Sequence, residues 1–105
     1  MKDDLLKIIS FYGVLPQLKK FNEEVYELIE AIITKEFMYQ SSDTTNSMNN
    51  FNLEHIAEEI ADVLNMVEQF MYYYDIDIQD VIEIKHQKIN RQLERIENEK
   101  DNNNV

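Results

Sequence analysis

The sequence predicts an all-α protein, a four-helix bundle with an antiparallel central hairpin. Three observations predict it. The chain of 105 residues carries one Gly and one Pro, so it lacks the turn residues that strand hairpins need. Its apolar residues recur at helical rather than alternating spacing. Short polar breaks separate the periodic stretches, as helix boundaries require.

The elements follow in order. Asp3 or Asp4 is expected to cap a short first helix that carries Leu5, Leu6, Ile8, Ile9 and Phe11 and stops near Gly13. Pro16 suits the first turn of a second helix, whose apolar stripe Leu18, Phe21, Val25, Leu28, Ile29 and Ile32 carries it to about Met38. Residues 40–52 are polar and turn-prone and are expected to form a long flexible connection. The third helix places Ile56, Ile60, Val63, Leu64, Val67, Phe70 and Met71 on one side, and Met66 and Tyr72 to Tyr74 widen that face. A face that wide suggests burial against more than one neighbour, a second subunit included. Asp75-Ile76-Asp77 breaks the chain before a fourth helix from about Ile78 to Asn98, and residues 99–105 are expected to fray. The reading is one domain over 1–105.

Composition excludes several function classes. A formal net charge of −11, from 21 acidic against 10 basic residues, repels nucleic acid and anionic lipid. No cysteine is present, which removes a disulfide framework, a thiolate nucleophile and the common structural zinc sites. The first residues are too charged for a secretory signal and no stretch reaches membrane-spanning length, so the expectation is a soluble cytoplasmic protein with no membrane partner.

The chemistry is carried by an echo between helices two and three. Glu24 and Glu27 are three residues apart, as are Glu59 and Asp62, and each pair shares a helical face. Each pair lies on the same-handed flank of its apolar stripe, centred on Val25 and on Ile60. An antiparallel pairing through those stripes turns both pairs into one cleft; a parallel pairing would put them on opposite sides. Four carboxylates held together repel unless a cation neutralises them. Oxygen-only ligands favour a hard ion, magnesium first and manganese second. The competing reading is the wet face of two amphipathic helices, the ordinary reading of any lone Glu-x-x-Glu pair; it is the second pair with the same offset that points to a cation.

Lys85, Lys88, Arg91 and Arg95 align on helix four at spacings of three and four, suited either to polyphosphate oxygens or to a solvated helix end. His55 and His86 do not make the paired Glu-x-x-His pattern of a di-iron bundle and read as surface residues.

Taken together, Glu-Glu-x-x-Glu, a gap and Glu-x-x-Asp resemble the MazG-like branch of the all-α nucleoside triphosphate pyrophosphohydrolases. Gln17 to Leu28 looks like the family's first motif helix and Glu58 to Leu64 like its second, while Lys88, Asn90 and Arg95 are similar to its Lys-x-Asn and Arg positions. The resemblance spans about residues 15 to 96. It implies a Mg²⁺-dependent hydrolysis of a nucleoside triphosphate to the monophosphate and pyrophosphate. Glu24, Glu27, Glu59 and Asp62 would be the ligands, one of them a proton acceptor, and Lys88, Asn90 and Arg95 would hold the triphosphate. It also implies a homodimer or homotetramer. The rival expectation is a non-catalytic helical adaptor or regulator that keeps the fold.

Overall fold

The computed structural model describes residues 1–39 and 46–103, with side chains at 1–37 and 52–103. Among the described residues there are four helices and no strand: α1 Lys2–Tyr12, α2 Val14–Tyr39, α3 Asn46–Tyr73 and α4 Ile78–Asn103. The all-α expectation holds.

Helix α1 has Met1 rather than an aspartate at its N-cap, and no side chain caps it. Asp3 and Asp4 instead occupy the first turn, where carboxylates favour the positive end of the helix dipole. The helix ends where the Gly13 amide donates to the Ile9 carbonyl at 2.8 Å. Gly13 has φ 91° and ψ 159°, a conformation that side-chain-bearing residues avoid. It allows α2 to start at once, with Pro16 in the first turn, where a missing N–H leaves no bond unmade.

Helices α2 and α3 run antiparallel. Gln17 faces Gln69 and, further along α2, Glu27 comes to Glu59, so position rises along one helix as it falls along the other; the Phe21 and Phe70 rings also meet across the pair, edge to face at 5.8 Å. Helix α1 packs against both. Among the described residues the buried apolar side chains are Leu5 and Ile9 of α1, Ala31 of α2, and Met66 and Met71 of α3. The Lys2 ammonium sits 5.7 Å from the centre of the Tyr72 ring, a further tie between α1 and α3.

The seam between α2 and α3 refines one expectation. The stripes centred on Val25 and Ile60 meet in part: Phe21 and Phe70 touch and, with Val25, Leu28, Ile56 and Val63, are half-buried, whereas Leu18, Ile29, Ile32, Ile60, Leu64 and Val67 remain exposed. The buried line is Gln17, Glu24 and Ala31 on α2 against Asn52, Glu59 and Met66 on α3, each at seven-residue intervals. A seven-residue spacing keeps one side of a helix turned to its neighbour over several turns, and it passes through the acids. Because apolar residues cover so much of each helix, their distribution alone does not single out the inward side.

Helix α3 starts at Asn46, so residues 46–52 are helical rather than part of a connection; 40–45 lie outside the described residues. After α3, Asp75 adopts φ 54° and the Asp77 carboxylate accepts a hydrogen bond from the Gln79 amide at 2.8 Å, capping α4. Helix α4 continues past Asn98 to Asn103 and buries none of its residues. The chain divides into two compact units, Met1–Tyr74 and Asp75–Val105. No described helix is long and apolar enough to cross a membrane.

Candidate functional site

The seven-residue register places Glu24 and Glu59 in the seam rather than on its wet edge. They are 6% and 8% exposed, unusual for glutamates, which are seldom buried without a partner. Glu27, one turn after Glu24 and exposed, joins them: one carboxylate oxygen from each of Glu24, Glu27 and Glu59 lies within 4.8 Å of the others. The antiparallel pairing on which this convergence depends is therefore present.

The electrostatics of the cluster are unfavourable as it stands. The Glu27 carboxyl is held above its ordinary range, first by the charge of Glu24, then by desolvation and by Glu59. Lys20, one turn before Glu24, offers partial relief at 3.1 Å, and Glu24 in return raises the Lys20 pKa by accepting its hydrogen bond. His55 Nδ1 stands 3.9 Å from Glu59. Even so, one oxygen of Glu24 and one of Glu59 are buried with no hydrogen-bond partner. A buried carboxylate oxygen without a donor is costly, and a divalent cation is a partner that suits an all-oxygen donor set. The donors fit magnesium or manganese.

Two clefts flank the acids. The smaller, about 350 Å³, is lined by Glu27, Glu59, His55 and Asn52 among others. The larger, about 580 Å³, includes Glu24 and Asp62. The structure thus gathers three of the four expected acids into one cluster, whereas Asp62, exposed, sits with Glu24 on the wall of the larger cleft. On helix α4, Lys88, Arg91, Arg95 and Gln92 line one concavity of about 180 Å³, and Asn90 is exposed.

Three residues beside the acids, Lys20, Gln17 and Gln69, were given no role of their own from the sequence, and His55 was read only as a surface residue, which its exposure agrees with. Lys20 and His55 precede Glu24 and Glu59 by four residues, a spacing that would have revealed them. Gln17 and Gln69 lie 52 positions apart, yet the Gln17 Nε2 donates to Gln69 Oε1 at 2.7 Å in the buried seam. No local signal links those two.

A family model described as the MazG nucleotide pyrophosphohydrolase domain matches residues 15–96, which contain the acids of α2 and α3 and the basic residues of α4 described above. No curated protein and no solved structure gives a significant match.

Proposed function

Because the chain belongs to the MazG nucleotide pyrophosphohydrolase family, we propose that it hydrolyses a nucleoside or deoxynucleoside triphosphate to the monophosphate and pyrophosphate, clearing unwanted nucleotides from the cytoplasmic pool. The observation that carries this reading is the pair of buried, unpartnered carboxylate oxygens on Glu24 and Glu59, set beside Glu27.

In this reading Glu24, Glu27, Glu59 and Asp62 hold Mg²⁺, with Mn²⁺ as a substitute. When bound, the ion supplies charge neutralisation for the phosphate oxygens and acidifies water. A water oxygen forms a bond to the α-phosphorus, the bond from that phosphorus to the α–β bridging oxygen breaks, and its electron pair leaves on pyrophosphate. One of the four carboxylates accepts the proton that the water loses. Lys88, Asn90 and Arg95 are assigned to the triphosphate oxygens, a role supported by their match to the family pattern and by the cationic concavity of Lys88 and Arg95.

The whole chain acts as one domain in this proposal, and it assembles as a homodimer or homotetramer. Support for assembly comes from the row Leu18, Ile29, Ile32, Ile60, Leu64 and Val67, a run of exposed apolar side chains on one helix pair that a second copy would cover.

Pyrophosphate release is the test. Protein with Mg²⁺ and a panel of canonical and modified triphosphates should release pyrophosphate from at least one, and Glu24→Gln should abolish release without loss of helix content. A panel with no turnover removes the proposal and leaves the adaptor reading.

A further inference from the structure

The larger cleft extends from the acids toward the start of α2, and that end has a different chemistry. Leu5, Ile8 and Pro16 give it an apolar wall, and Tyr12, 58% exposed, adds an aromatic ring at the rim. Its interior carries Gln17 and Gln69, which are 7% and 3% exposed and hydrogen-bonded to each other at 2.7 Å. Both amide nitrogens also turn to the Met66 sulfur, at 4.0 Å from Gln17 and 3.8 Å from Gln69. A thioether is a weak acceptor, so these donors are engaged by a partner that a stronger acceptor would readily replace.

From this we infer that the cleft end formed by Gln17, Gln69, Met66 and Tyr12 is a nucleobase slot through which the protein selects its substrate by base. The inference rests on the nucleotide reading proposed above. A base is a flat apolar ring with donors and acceptors along one edge. It needs walls that exclude water, a ring to stack on, and a few buried groups that both donate and accept. Glutamine amides do both.

Spacing supplies an independent argument. Gln17 and Glu24 lie seven residues apart on one face of α2, a separation of about 10 Å along the helix. That is the span of a nucleotide from the polar edge of its base to its α-phosphate. Glu24 and Asp62 line the same cleft as Gln17 and Gln69, so no barrier divides the two ends. A triphosphate at the acids therefore brings its base to the amides.

Binding is measured by calorimetry in Mg²⁺ with α,β-imido triphosphates of adenosine, guanosine, cytidine and uridine, and with inorganic tripolyphosphate as the base-free probe. The wild-type protein should bind one or two of the four nucleotides about tenfold more tightly than the rest, the effect expected of one or two well-placed hydrogen bonds. Gln17→Leu and Gln69→Leu should each flatten that ranking. Because either change leaves its buried partner short of a bond, Gln17→Glu serves as the shape-preserving variant and should reorder the ranking instead. Tyr12→Ala should weaken all four nucleotides relative to tripolyphosphate.

Equal binding of the four bases by the wild-type protein, or a ranking that survives every glutamine substitution, overturns the inference. Turnover is read separately. Base-selective binding without pyrophosphate release would remove the enzyme reading and keep the slot; release without base selectivity would do the reverse.

Discussion

Replacement of Glu59 by Gln separates a functional carboxylate from a structural one. Glu59 and Glu24 are both buried and present oxygens within 4.8 Å of each other, so at an effective dielectric near 20 their repulsion is of order 3 kcal/mol. The Lys20 ammonium, 3.1 Å from Glu24, offsets part of this. The amide has nearly the same shape as the carboxylate and adds a donor beside Glu24. Without divalent ions, Glu59→Gln should therefore stabilise the protein by about 1–2 kcal/mol, a rise in Tm of roughly 5–10 °C for a domain of this size.

With Mg²⁺ the order reverses. A cation present at about 100 times its dissociation constant stabilises the wild type by about 2.7 kcal/mol, and the variant, short of one ligand, should gain much less. Thermal unfolding followed by circular dichroism, with EDTA and with Mg²⁺, reads both effects. If the variant is less stable than wild type in EDTA, Glu59 supports the fold directly. If wild-type Tm ignores Mg²⁺ and Mn²⁺ alike, the cluster holds no cation.

Two further outcomes follow from the same geometry. Glu27 has its pKa raised above the ordinary value of 4.5, chiefly by Glu24, so the folded chain holds that proton more tightly than the unfolded chain does. Its contribution to stability is complete below the unfolded pKa and is lost as pH rises through the raised one; metal-free protein should lose stability over that interval. Mg²⁺ competes with the proton, so the Tm gain from Mg²⁺ should be larger at neutral pH than near about pH 5, and a gain independent of pH would contradict the assignment. Separately, Gly13→Ala should destabilise by roughly 1–3 kcal/mol in urea unfolding. The added Cβ would meet Pro16 Cδ at an ordinary 3.7 Å, so the penalty is that of a side chain at φ 91° rather than of a clash. A neutral result would mean that the α1–α2 junction relaxes freely.

The sequence by itself determined the helices, the Gly13 and Asp77 boundaries and the acid spacing on α2 and α3. These are matters of neighbours within one or two turns, where spacing of 3.6 residues and cap chemistry act. It also carried enough of the motif for the family to be legible. The start of α3 was misjudged because Asn and Ser are indifferent helix formers, and local preference there yielded to the helix they extend.

Only the tertiary structure decided which side of each helix is inward. Leu18, Ile29 and Ile32 of the α2 stripe and Ile60, Leu64 and Val67 of the α3 stripe stay exposed and the rest of both stripes is half-buried or, at Met71, buried, while the line through Gln17, Glu24 and Glu59 is buried. That choice set Asp62 apart from the other three acids and joined Gln17 to Gln69. The reason is physical: helical periodicity fixes the angle between two residues on one helix, but the rotation of one helix against another is settled by the sum of contacts between distant segments. Helices with apolar residues on more than one side leave that rotation open until they pack.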